Sequence, residues 1–198
     1  MDEIPELTEE QRIKLRTARA AAKAMLSDPD PDSREAAWRQ FHQVGDVYAQ
    51  TRDSLQVPDD AGDHAEQLAS ILRRIPPNWG RWIGCDAGWY PLICDLDSVL
   101  AHIDSSYEVR QVKEKFGRLS FYAHPKTENH NGFDGPFRQA IQAAQDRSCS
   151  ICELCGDPGQ LHETCPMGEP GRFVKTRCTT CAATAGHRGR RYAPVKGR

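Results

Sequence analysis

The 198 residues carry a net charge of −2, with 38% hydrophobic and 27% charged side chains, and the mean hydropathy is −0.67. Such a chain buries a modest core and has no run near the roughly 18 apolar residues of a membrane span. The opening MDEIPELTEEQ is acidic where an export signal is basic and then apolar, so a cytoplasmic protein is expected. Charge is uneven: residues 1–78 hold 10 basic against 15 acidic side chains, and residues 149–198 hold 8 against 4. Any attraction for a polyanion therefore has to come from the C-terminal quarter.

In chain order, Thr8 is placed to cap a first helix, with Glu9 and Glu10 in its opening turn and an alanine-rich body ending at Asp28–Asp32. A second helix is predicted from Ser33, because Ala37, Phe41, Val44, Tyr48, Thr51 and Leu55 recur at spacings of four and three. Ala65, Leu68, Leu72 and Ile75 mark a third, stopped by Pro76-Pro77. These helices form an expected N-terminal module over 1–78.

An α+β core is expected over 79–148. It opens with Trp79, Trp82 and Trp89. The stripe Trp89, Leu92, Ile93, Leu96, Val99, Leu100 and Ile103 then predicts a core helix. The stretch YEVRQVKEKFGRLSFYA reads as a hairpin turning at Phe116-Gly117. Phe137, Ala140, Ile141 and Ala144 mark a last helix running toward Cys149. The fold class is α+β.

Beyond Cys149 the chain is dense in Gly and Pro and too poor in apolar residues to make a core. It does hold two C-x-x-C pairs, Cys152/Cys155 followed by Gly156, and Cys178/Cys181. Each pair lets two thiolates converge from a tight knuckle, and together they supply a tetrahedral set suited to zinc. A zinc ribbon is expected over 149–186, with Gln160-Leu161-His162 and Arg172-Phe173-Val174-Lys175 as its strands. Four thiolates leave no position for water or substrate, so the zinc is read as structural. Cys149, Cys165 and His162 are spare candidates near the same ion.

No catalytic set is assigned. Cys85 and Cys94 sit among tryptophan and aliphatic positions, where free cysteine behaves as a small apolar side chain. Gln111 and Lys113, with Asp104 upstream, give a faint nuclease pattern, but a solvated strand face with mixed charges explains them better. Residues 187–198 form an expected basic tail, and Lys175, Arg177, Arg188, Arg190 and Arg191 are the residues through which the C-terminal quarter would contact nucleic acid.

Gly88-Trp89-Tyr90, the string Gln111-Val112-Lys113-Glu114-Lys115-Phe116-Gly117 with Leu119-Ser120-Phe121-Tyr122, and the cysteine pairs together carry a resemblance. The chain from about 79 to 185 resembles small uncharacterised proteins of bacteriophages and prophages that share this helix, hairpin and C-terminal zinc ribbon. The resemblance implies an accessory product of mobile DNA in the cytoplasm of a bacterial host, a setting in which inhibiting or regulating host machinery is commoner than metabolism. The expected function is non-catalytic binding of a host protein of defence or DNA handling. Its expected surface is Phe41 and Tyr48 with the acids Asp46 and Asp53, which would suit a basic target. The competing readings are a nucleic-acid-binding zinc ribbon, distinguished by salt-sensitive binding through 187–198, and a metal-dependent nuclease using Gln111 and Lys113.

Overall fold

The computed structural model describes residues 4–28, 30–126, 135–164, 172–184, 186–187 and 190–195, and is a mixture of helix and sheet. Helix α1 (Glu9–Ser27) starts at a capping box: the Thr8 hydroxyl accepts the Gln11 N–H, and the Gln11 side chain accepts the Thr8 N–H. Helix α2 (Pro31–Gln43) begins slightly before Ser33, because Asp30 accepts the Asp32 and Ser33 N–H groups and Pro31 fits the first turn. The predicted stripe from Ala37 to Leu55 does not lie on one helix. Gly45 adopts φ 63°, the chain turns, and helix resumes only briefly as α3 (Val47–Gln50). The turn folds Val47 back beside Leu15 and Ala18, and Leu7, Phe41, Val44 and Tyr48 close this small core.

Helix α4 (Ala65–Arg73) belongs to a different core. Leu68, Ile71, Leu72 and Ile75 pack with α5 (Tyr90–Ile103), α6 (Pro136–Ser148) and a sheet, and Leu55 and Val57 lean on the same cluster. Packing therefore divides the chain between Tyr48 and Leu55 rather than at residue 78. The two cores are joined by polar contacts: Gln56 donates its N–H to the Arg81 carbonyl at 3.0 Å, and Arg19 reaches the Gln56 side chain at 3.0 Å.

The hairpin consists of β2 (Glu108–Lys115) and β3 (Arg118–His124), antiparallel with Val112 opposite Phe121 and Lys115 opposite Arg118. Phe116 and Gly117 make its turn with φ 55° and 75°. A strand of two residues that the sequence does not announce, β1 (Ile83–Gly84), runs parallel to β2, giving the order β1-β2-β3. Val112, Leu119 and Phe121 point into the core beneath Phe137 and Ala144 of α6. The C-terminal end of α6 is fixed to the hairpin by the Leu119 N–H, which donates to Ser148 Oγ at 2.9 Å.

In the last third, β4 (Gln160–Glu163) pairs antiparallel with β5 (Val174–Arg177), and α7 (Thr179–Thr184) follows. The short strands β6 (Gly186–His187) and β7 (Arg190–Arg191) pair with each other, and β8 (Ala193–Pro194) returns to β4. The stretch expected as a basic tail thus comes back to the ribbon sheet at 193–194. Among the described residues no helix is long and apolar enough to cross a membrane.

Candidate metal centre

The two expected knuckles form. In the first, the Cys152 N–H donates to the Asp157 carbonyl at 2.8 Å and the Gly156 N–H to the Cys152 carbonyl at 2.9 Å, a turn completed by Gly156 at φ 82°. In the second, Cys178 directly follows β5 and Cys181 lies in α7, whose first turn is closed by the Ala182 N–H on the Cys178 carbonyl. The sulfurs of Cys152, Cys155, Cys178 and Cys181 all lie within 4.8 Å of one another. Cys155 Sγ is 3.7 Å from Cys178 Sγ and 3.6 Å from Cys181 Sγ. These separations are far too long for a disulfide, and near the edge of about 3.8 Å of a tetrahedron whose metal–sulfur bonds are about 2.3 Å. The donor set therefore fits a four-coordinate metal ion.

The backbone around the sulfurs favours thiolates unevenly. Burial pushes the Cys152 thiol up, but N–H groups of Cys178, Cys155 and Leu154 outweigh it and bring it down to about 7. Cys155 receives the Asp157 N–H, yet burial and the three neighbouring sulfurs hold it above its ordinary value, and burial with Cys178 pushes Cys181 up to about 11. Four crowded thiols do not ionise together at neutral pH unless a cation holds them as thiolates. The Cys181 N–H, 3.4 Å from Cys178 Sγ, is a further donor to that charge.

Of the spare candidates, His162 is buried with Nδ1 2.8 Å from the Gln160 carbonyl, and Cys149 sits exposed at the end of α6. Neither joins the cluster. Cys165 lies outside the described residues.

The centre is seated on the α+β core by residues whose sequence gave little sign of it. Gly88 presses against the first knuckle: a Cβ there would stand 2.2 Å from the Cys152 carbonyl oxygen and 2.4 Å from the Gly156 nitrogen. The Gly88 N–H donates to the Glu153 carbonyl at 2.8 Å, and Trp89 Nε1 donates to the Ile151 carbonyl at 2.8 Å. Between the ribbon and the α+β core lies a chain of charges. Lys175 Nζ is 2.7 Å from Glu114 and 3.1 Å from Glu153, and Arg177 is 3.3 Å from Asp86 and 3.8 Å from Glu153. Glu153 is 1% exposed. Burial raises its carboxyl above the ordinary value despite the nearby Lys175. Gly88→Ala is expected to cost about 3 kcal/mol, because backbone atoms rather than a flexible side chain must move. Urea melts of the two proteins measure it, and an unchanged midpoint would mean that the knuckle is not seated here.

Two sets of expected site residues make internal contacts. Lys175 and Arg177 do not face solvent as phosphate contacts, because both are neutralised by carboxylates at the ribbon–core junction. Phe41 and Tyr48 are half-buried. They close the small core of α1–α3, their rings 6.1 Å apart. Asp46 stands exposed before α3 without a capping hydrogen bond, and Asp53 accepts the Asn78 N–H at 2.6 Å. Arg191 is exposed, Arg190 lies in β7, and Arg188 is outside the described residues.

The remaining chemical candidates lie apart from the cysteine cluster. Burial pushes the Cys85 thiol well up and the Cys94 thiol up to about 11. The Asp104 carboxylate accepts the Ser106 N–H at 3.0 Å and the Lys126 N–H at 2.7 Å, fixing a turn. Gln111 and Lys113 sit on β2 opposite Tyr122 and Ser120. No protein-family model, curated protein or solved structure matches this chain.

Proposed function

We propose that this chain is a non-catalytic, zinc-stabilised accessory protein of a phage or prophage, which binds a host protein in the bacterial cytoplasm and inhibits or regulates it. The observation that carries this reading is the closed centre: four sulfurs complete a tetrahedron, and the groups around them seat the ribbon on the core. Soft thiolates in that geometry select zinc and leave it no open position for substrate. The nucleic-acid reading of the ribbon loses two of its five cations, Lys175 and Arg177, to internal ion pairs.

With Phe41 and Tyr48 partly engaged in the small core, the partner surface draws on the exposed apolar side chains of the N-terminal helices. Trp38 is 53% exposed, its ring tilted 50° to that of His42 with the centroids 4.1 Å apart, and Ile13 and Leu26 are also exposed. A displayed tryptophan is the kind of anchor that dominates protein interfaces. The test is affinity purification of the tagged protein from a bacterial host, with nuclease and moderate salt. A stoichiometric host protein is expected with the wild type and lost with Trp38→Ala at unchanged metal content. Recovery of no specific protein would contradict the reading.

A further inference from the structure

The hairpin string divides into two sets of residues. Val112, Leu119 and Phe121 fill the core, and Glu114 accepts both the Gly117 N–H at 2.5 Å and Lys175 at 2.7 Å. Gly117 lies against the ribbon: a Cβ there would meet Leu161 at 2.4 Å, and its carbonyl accepts the Thr176 hydroxyl at 2.5 Å. The alternate residues Lys113, Lys115 and Tyr122 point to the other face of the sheet, with Phe116 at the tip. Folding accounts for the first set and leaves the second unexplained.

Phe116 is 76% exposed although its φ of 55° lies in the left-handed region. A two-residue turn of this kind favours Asn before Gly, so a phenylalanine costs folding free energy here and recovers none by burial. Strain that packing does not repay is a pointer to function. Lys115 stands 5.6 Å from the Phe116 ring, and Tyr122 is 47% exposed. Ser120, then Lys115 and Lys113, hold the Tyr122 phenol below its ordinary value, and the strand register sets Lys113 and Lys115 on the same face as Tyr122. Among the described residues the hairpin's ion pairs use Glu108, Arg110, Glu114 and Arg118, and include neither the half-buried Lys113 nor the exposed Lys115.

We infer that this face of the hairpin binds single-stranded nucleic acid, with bases stacked on Phe116 and Tyr122 and phosphates held by Lys113 and Lys115. Exposed rings need unstacked bases, which a duplex does not offer, and a pair of uncompensated lysines supplies the backbone attraction. An acidic peptide would satisfy the lysines but gives no reason for an aromatic ring at a strained turn position. The ribbon holds Gly117 in place, so Phe116 is presented on a fixed turn and little ordering is needed on binding.

The test uses the full chain and fluorescence anisotropy with labelled oligothymidine, oligouridine and a duplex of equal length, over a range of salt. Phe116→Asn is the decisive variant, since asparagine suits the turn. It should melt no lower than the wild type and bind single strands about tenfold more weakly. Lys113→Ala with Lys115→Ala should flatten the dependence of log affinity on log salt by about 1.4. Four outcomes would each overturn the inference: no binding by the wild type, full binding by Phe116→Asn, equal binding of duplex, or equal displacement of the oligonucleotide by polyglutamate.

Discussion

Replacing Cys178 by serine is expected to unfold the C-terminal ribbon and to expose Trp89. Few apolar residues hold this region together, while structural zinc contributes about 10–16 kcal/mol in zinc-finger peptides at neutral pH. That is as large as the whole stability of a typical domain. The damage should not stay local. Trp89 is fully buried and donates Nε1 to the Ile151 carbonyl, three residues before Leu154 between the first two ligands. Losing the knuckle removes that acceptor and the cover over Gly88, so tryptophan emission should shift to the red. A chelator should reproduce the shift in the wild type. Cys149→Ser should leave emission and metal content unchanged, because Cys149 is exposed and outside the cluster. Equal emission from Cys178→Ser and the wild type would refute the structural role of the centre.

Lys175→Met is expected to destabilise the protein by about 3–5 kcal/mol, the cost of stranding buried charge. Glu153 is 1% exposed, and its nearest cation is Lys175 at 3.1 Å, with Arg177 at 3.8 Å. Removing the ammonium also leaves Glu114 without its cation. Methionine keeps most of the side-chain volume, so the loss reports charge rather than packing. Adding Glu153→Gln to Lys175→Met should recover part of the stability, since an amide has no charge to compensate. Urea unfolding of the single and double variants, at equal metal content, provides the measurement. A shift below about 1 kcal/mol would mean that these ions behave like a screened surface pair.

Elements that depend on local signals were legible from residue types alone. Thr8 with Gln11 makes the cap of α1, the aliphatic stripe makes α5, and Phe116-Gly117 makes the hairpin turn. The cysteine quartet was legible for the same reason, because each knuckle is set by a spacing of three. What depends on distant partners was not. The stripe from Ala37 to Leu55 continues across Gly45 as though helix continued, and only the left-handed turn there sends Val47 back onto Leu15. Strand β1 has two residues and exists because β2 offers it an edge. Lys175 and Arg177 lie in a segment with no apolar pattern and so read as surface. Their burial requires Glu114, 61 residues from Lys175, and Asp86, 91 residues from Arg177.

Native mass spectrometry of the purified full chain at neutral pH tests the central claim most directly. One zinc ion per chain is predicted in the wild type and in Cys149→Ser, lost in Cys178→Ser and lost on acidification as protons compete for the thiolates. A metal-free chain that melts like the zinc-loaded one would contradict the account.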